Sequence, residues 1–384
     1  MRTICHIITG LQTGGVQHAL FRLATGDAAG RHVVISLMEE SDVGPKLRQA
    51  GIDVHALGMP AGRVTWQGLK TLRALLRDHQ PDIVQTWLYH ADLIGGVMAR
   101  LFTRAGIVWG IRFSSLDHLA ASRLTHLVIR ICAWTSRFIP HRVISCSHEG
   151  ATSHQAFGYT GKNLSVIPNG YDLEVLQPDA NSRTRMRAQW QAGPDECLFG
   201  MAARWDPQKD HKTLLDALAR LQEQSIEQPW RCVLFGREIN TDNPALMAMI
   251  QDRGLSDRLI LLDEQADIAG TMNGLDVHVL SSNCGEGFPN VVAESMACGV
   301  PGIATDIGDA AIIMDGSGWL VEPEKPTYMA QAMVSAIEAR QDAAAWQDLQ
   351  DRVRALIVSR FSLDKMVENF GEVWRQIEPG NRRQ

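Results

Sequence analysis

The chain lacks any apolar run of the roughly 18–20 residues that a membrane-spanning helix needs. Its 45% hydrophobic content is therefore expected inside folded domains. It has no low-complexity tract and no short repeat. It has no C-x-x-C pair and no Cys/His cluster at metal-ligand spacing, which argues against a zinc-binding module. Its seven cysteines, an odd number, are scattered at 5, 132, 146, 197, 232, 284 and 298, so reduced thiols in a cytoplasmic protein are expected. The first ten residues carry one basic side chain, a short apolar run and no small-residue cleavage pattern, and read as a buried strand. There is also no G-x-G-x-x-G, so a dinucleotide fingerprint is excluded.

What is present is length for two domains of ordinary size, with 384 residues of which 21% are charged. The net charge of −6 hides a division. Residues 1–170 hold 17 basic and 10 acidic side chains, and the remainder holds 20 and 33. The basic first part is suited to an anionic partner, such as a phospholipid surface or a lipid diphosphate. No nucleic-acid partner is expected of an acidic chain.

Short β-rich apolar runs alternate with helical patterns throughout, as in parallel α/β architecture. Strands are expected near residues 4–9, 32–37, 83–85, 107–109 and 142–145, then 198–201, 231–235, 276–280 and 302–305. Helical spacing is clear over 69–78, 212–221 and 327–340. The polar stretch 172–196, with two prolines, reads as a connection between two Rossmann-like domains.

Three stretches carry chemistry. In Cys284-Gly285-Glu286-Gly287-Phe288-Pro289-Asn290-Val291-Val292-Ala293-Glu294, two glutamates stand eight positions apart around a Gly-Phe-Pro-Asn turn that leads into a helix. Pro289 suits a first helical turn, where a missing N–H is harmless. The N–H groups from about Asn290 would then face an anion. Carboxylates accept hydrogen bonds from adjacent hydroxyls, so one near each end of a phosphate cradle fits a nucleotide-sugar. In Gly200-Met201-Ala202-Ala203-Arg204-Trp205-Asp206-Pro207-Gln208-Lys209-Asp210-His211, a strand ends and a loop presents two cations before a helix begins. Such cations suit a diphosphate whose charge grows as its bond to a sugar breaks. In Gly10-Leu11-Gln12-Thr13-Gly14-Gly15-Val16-Gln17, glycines after the first strand let backbone approach a ligand closely.

Together these stretches resemble the GT-B glycosyltransferases of family 4, the retaining enzymes with an E-x7-E motif. Arg204 and Lys209 match the family's Arg-x4-Lys, followed by Asp210-His211. Gly14-Gly15 match its N-terminal loop, with Val16 and Gln17 in place of the usual Ala-Glu. Ser145-Cys146-Ser147 and Ile167-Pro168-Asn169-Gly170-Tyr171-Asp172 match further family segments, and the stretches at 304–309 and 315–321 match its closing donor-domain strands; a scaffold role is expected for all of them. The resemblance implies two Rossmann-like domains facing each other across a cleft. It divides the chain into an acceptor-side domain 1–172, a linker 173–196, a nucleotide-sugar domain 197–360 and a C-terminal helix 361–384 that returns to the first domain.

The resemblance also implies roles. Arg204, Lys209 and Glu286 would be catalytic. Gly15, Phe288, Pro289, Asn290, Val291 and Glu294 would bind the donor, with Glu294 on the ribose and Glu286 on a sugar hydroxyl. Many relatives place a histidine after the strand near 107–109; here Arg112 stands there. His90 and Arg112 are candidate acceptor or sugar contacts, although Arg112 stays protonated and cannot be a base. No cofactor is implied beyond the donor, a UDP-sugar in preference to a GDP-sugar. With no Asp-x-Asp motif, no metal is expected. The acceptor would be a glycan or lipid-linked sugar of bacterial surface polysaccharide. A nucleotide-sugar epimerase of the same fold and a non-catalytic binding module are the alternatives. Residues 122–142 carry Arg123, Arg130, Arg137 and Arg142 among apolar residues, which suits a packed helix with solvated arginines or a peripheral seat on an anionic membrane.

Overall fold

The computed structural model describes residues 1–114, 122–224 and 226–378. Two compact units emerge, Met1–Gly170 with Leu363–Gln384, and Tyr171–Ser362.

The first unit is built on seven parallel strands: β1 (Arg2–Ile8), β2 (Gly30–Ser36), β3 (Asp53–Ala56), β4 (Ile83–Trp87), β5 (Gly106–Ile111), β6 (Arg142–Ser145) and β7 (Leu164–Val166), in the order β3-β2-β1-β4-β5-β6-β7. The central strands β1, β4 and β5 are buried along nearly their whole length, as parallel strands covered on both faces must be. The order reverses between β1 and β4, and the loops that leave these strands are where an open α/β sheet binds ligands. The last helix, Leu363–Ile377, belongs to this unit. Met366, Phe370, Val373, Trp374 and Ile377 recur at helical spacing and are buried. Phe370 stacks on Trp87 with ring centroids 6.2 Å apart. Residues beyond 378 in the expected segment 361–384 lie outside the described residues.

The second unit holds β8 (Cys197–Ala202), β9 (Trp230–Phe235), β10 (Leu259–Leu262), β11 (Val277–Leu280), β12 (Gly302–Thr305) and β13 (Gly318–Val321), ordered β10-β9-β8-β11-β12-β13 and again all parallel. Its reversal lies between β8 and β11. The stretch expected as a linker is not a loose connection. It carries the helix Ala180–Gln189, which packs on the helix Ile268–Gly274. Arg183 and Arg187 bond the buried Asp276 at 2.6 and 3.1 Å, and Arg340 approaches it at 3.2 Å. Burial alone would raise the Asp276 pKa, but the three guanidinium groups and the Leu198 N–H hold it below the usual carboxylate range. This charge cluster fastens the connecting segment to the sheet.

Three strands, β3, β7 and β10, were not expected. Each has three or four residues and none is fully buried. Edge strands need neither a long apolar run nor a clean alternation, so they leave little periodic signal.

Candidate active site

In the second unit, the loops after β8 and β11 are the two at the reversal, and they are laced together. Asp206 caps the short turn Pro207–Lys209, with Oδ1 accepting from the Gln208 N–H at 2.9 Å. Its Oδ2 accepts from Arg204 Nε and Nη2 at 3.0 and 2.7 Å. Burial would raise the Asp206 pKa, but these donors and the nearby Lys209 hold it down. Asp210 then adopts a left-handed conformation, φ 45° and ψ 54°, and caps the helix His211–Gln222 through the Thr213 N–H at 3.1 Å. Ser281 Oγ donates to the Lys209 carbonyl at 2.8 Å, and the Asn283 N–H donates to the Gln208 carbonyl at 3.0 Å.

The geometry converges on one carboxylate oxygen. Lys209 Nζ and Ser282 Oγ both donate to Glu286 Oε1, the latter at 2.6 Å. The Lys209 and Glu286 side chains are only 16% and 13% exposed, so their charges meet in a partly desolvated place. Behind the pair, Thr305 Oγ1 donates to the Ser282 carbonyl at 2.7 Å and the Asp309 N–H to the Gly287 carbonyl at 2.9 Å. Gly308, with φ 63°, passes so close that a Cβ there would lie 2.4 Å from the Glu286 carbonyl oxygen. Only glycine permits that approach.

The helix Asn290–Ala297 follows. Pro289 occupies its N-cap with φ −69°, one position before the first turn it was expected to open. No side chain among the described residues caps this end. The Phe288 ring is buried against Tyr171 and Phe361, at centroid distances of 6.4 and 5.3 Å, so it anchors the turn. Tyr171 OH donates to Asn290 Oδ1 at 2.7 Å and fixes that side chain. Val291 is half-buried against the core, and Glu294 is half-buried within the helix.

Lys209 and Glu286 are thus brought together, whereas Arg204 is half-exposed and turned to Asp206. Sequence reasoning missed three residues here: Ser282, Asp206 and Tyr171. Two buried serines ending the apolar strand β11 were the available signal for the first.

In the first unit, Gly15 opens the helix Gly15–Gly26 after β1 and is exposed. Gln17 does not project outward. Its Nε2 donates to the Gly10 carbonyl at 3.0 Å, so this side chain ties the loop to itself. His90 lies in the first turn of the helix Tyr89–Phe102 after β4, and burial lowers its pKa. It lines a cavity of about 370 Å³ whose walls, including Leu37, Met38, Met59 and Ile94, are mainly apolar. Leu88, just before it, has φ 75° and ψ 151°, a region natural only to glycine, so the backbone that presents His90 is strained.

Arg112 follows β5 and is buried. Its guanidinium lies 4.3 Å from the centre of the Trp87 ring, and Nη1 donates to Asn169 Oδ1 at 3.0 Å. Among the described residues no geometric hydrogen bond meets Nε or Nη2, though Cys146 interacts with the guanidinium, and burial lowers the Arg112 pKa. Asn169, expected only as turn chemistry, is therefore also a support for Arg112.

The basic stretch 122–142 forms the helix Arg123–Thr135, capped by Ser122 Oγ, which accepts from the Thr125 N–H at 3.2 Å. It is not a fully packed helix. Leu124, Leu127, Ile131, Trp134 and Phe138 recur at helical spacing and are exposed, Trp134 and Phe138 by 68% and 62%.

Two family models match the chain. One, described as Glycosyltransferase Family 4, matches residues 2–175, and the other, described as Glycosyl transferases group 1, matches residues 196–339. The Escherichia coli UDP-Gal:alpha-D-GlcNAc-diphosphoundecaprenol alpha-1,3-galactosyltransferase is 25% identical over 323 residues, covering 80% of this chain and 79% of that one. The lipopolysaccharide core biosynthesis mannosyltransferase LpsB of Rhizobium meliloti is 27% identical over 223 residues, 57% of this chain and 60% of its own. The crystal structure of Anabaena HepE in complex with UDP and glucose superposes with a TM-score of 0.84 at 20% identity, covering 98% of this chain and 100% of that one. The two sheets reproduce the GT-B fold, and with both units matched by models of one kind, the chain belongs to the group 1 glycosyltransferases of family 4.

Proposed function

We propose that this protein is a retaining glycosyltransferase that moves a sugar from a UDP-sugar to a glycan or lipid-diphosphate-linked acceptor in bacterial surface-polysaccharide assembly. The observation that carries the reading is the largely buried Lys209–Glu286 pair, set beside the start of the helix Asn290–Ala297. A cation, a carboxylate and a helix N-terminus at one sheet reversal are the set that a sugar diphosphate requires. The name of the E. coli relative, with its UDP-linked donor and diphosphoundecaprenol acceptor, supports the choice of substrates.

In this reading Glu294 accepts from the ribose hydroxyls, and Glu286 accepts from a donor-sugar hydroxyl. Backbone N–H groups of Phe288, Asn290 and Val291 meet the sugar and phosphates. Pro289 has no N–H and only shapes the turn. Gly15 lets backbone approach the ligand. The sugar–diphosphate C–O bond breaks as the acceptor oxygen bonds to the same carbon on the same face. The acceptor's proton passes to a phosphate oxygen of the leaving diphosphate. Lys209 and Arg204 carry the charge that develops there, so transfer needs no divalent ion. No carboxylate pair of glycosidase type is required. His90 and Arg112 are assigned to acceptor or sugar contact, Arg112 as a fixed cation. The exposed apolar stripe from Leu124 to Phe138, flanked by Arg123, Arg130 and Arg137, supports a peripheral seat on an anionic membrane.

The test is thermal shift and transfer with a panel of UDP-, GDP-, ADP- and TDP-sugars, with and without EDTA. UDP-sugars alone should stabilise the protein, the shift should vanish in Glu294→Ala, and EDTA should leave the initial transfer rate unchanged. Stabilisation by GDP-sugars only, or by none, would overturn the donor assignment.

A further inference from the structure

Asp53, His55 and His79 form a cluster apart from every residue assigned above. Asp53 and His55 are two positions apart on β3 and so share one face of this edge strand. His79 is the last residue of the helix Trp66–His79, 26 residues after Asp53. None of the three lines the apolar cavity beside His90.

The three side chains present lone-pair atoms to one point. His55 Nε2 lies 3.1 Å from His79 Nε2 and 3.2 Å from Asp53 Oδ1, and His79 Nε2 lies 3.8 Å from Asp53 Oδ2. Hydrogen bonding alone satisfies this arrangement poorly. A neutral His55 carries at most one hydrogen on Nε2, which serves either Asp53 or His79 and leaves the other contact unmade. A cation would accept all three lone pairs at once. Bonds of about 2.0–2.1 Å in a tetrahedral zinc site put ligand atoms roughly 3.3 Å apart. The observed separations bracket that value. With Asp53 41% and His55 31% exposed, a water can complete the coordination.

We infer that Asp53, His55 and His79 form a binding site for a borderline transition-metal ion, zinc by ligand chemistry, that clips the edge strand β3 to the end of the helix Trp66–His79. Two imidazoles and one carboxylate with an open fourth position suit Zn²⁺, and Co²⁺ can report on it. The site is structural. It closes the segment 53–79, whose middle supplies Met59, Arg63 and Val64 to the cavity wall. It takes no part in sugar transfer, so its failure would leave the reading of Lys209 and Glu286 untouched.

The experiment uses the full chain stripped with a chelator, titrated with Zn²⁺ against a chromophoric competitor and with Co²⁺ by visible absorption. One equivalent should bind, Co²⁺ should give the intense d–d bands of tetrahedral coordination, and zinc in hundred-fold excess over its Kd should raise Tm by roughly 5 °C. The double variant His55→Gln/His79→Gln should weaken binding at least about ten-fold and remove the bands. Binding of less than one equivalent at tens-of-micromolar zinc, or undiminished binding in the folded double variant, would overturn the site. Should the double variant fail to fold by circular dichroism, Asp53→Asn, a change at a partly exposed carboxylate, decides by the same criterion.

Discussion

The two units share one architecture and differ where it matters. At the sheet reversal of the second unit, the polar groups answer one another. Lys209 and Ser282 meet on Glu286, Arg204 meets Asp206, and Thr305 holds the strand end. At the reversal of the first unit, the surroundings are apolar. A cavity of about 370 Å³ lies beside His90, and Arg112 rests on Trp87. A site built from matched charges is pre-set for a ligand of fixed charge and shape, such as a nucleoside diphosphate. A site with an apolar wall and a buried cation selects its ligand more by shape than by matched charge.

The sharpest way to break this comparison is Lys209→Ala. It removes the cation proposed to carry leaving-group charge and strands Glu286 without its partner. Steady-state transfer should fall about 10²–10³-fold, the range for loss of one preorganised electrostatic contact. A fall of under ten-fold would mean that the second unit's charge pair is only structural.

Next is Asp276→Asn, which tests whether ion pairing also holds the second unit together. Removing one member of a buried charge cluster costs about 3–5 kcal/mol, read as a lower urea midpoint. The pH dependence has a definite sign. The Asp276 pKa is depressed, so its contribution is full above about pH 3.9 and is lost as pH falls further. Burial lowers His211 to about 4 and His278 to about 3, with Lys209 adding to both. Their unfolded forms take a proton first, so stability should already decline as pH drops from about 6.5 towards 4. A wild-type midpoint flat across that window would contradict the buried, neutral state of both rings.

The smallest effect is expected at Leu88 in the first unit. Leu88→Gly relieves a φ of 75° but adds freedom to the unfolded chain, so the net change in stability should be a gain within about 1 kcal/mol. A loss larger than that would show that the Leu88 side chain, and not the backbone, holds the turn before His90.

The charged loops after β8 and β11, proposed to hold the donor, were legible in the sequence because their chemistry is charged and local. Arg204, Lys209, Glu286 and Glu294 stand in short segments bounded by Gly and Pro, and turn and helix-start rules place them directly. The long central strands were legible because burial on both faces forces continuous apolar runs. The short edges β3, β7 and β10 were not, for want of that constraint. Nor was the order within the connecting segment, since nothing near Arg183 and Arg187 in the chain points to Asp276, about ninety residues later.

The sequence by itself determined the alternation of strand and helix, the two-part division of the chain and the charged segments that follow β8 and lead into the helix Asn290–Ala297. Each depends on residues within a few positions of one another. Only the tertiary structure decided that Lys209 pairs with Glu286, that Arg112 is buried on Trp87, that Trp134 and Phe138 are exposed, and that Asp53 and His55 meet His79. Those outcomes join residues tens of positions apart, or turn on burial, and they follow from how the parallel strands are ordered and what covers each face.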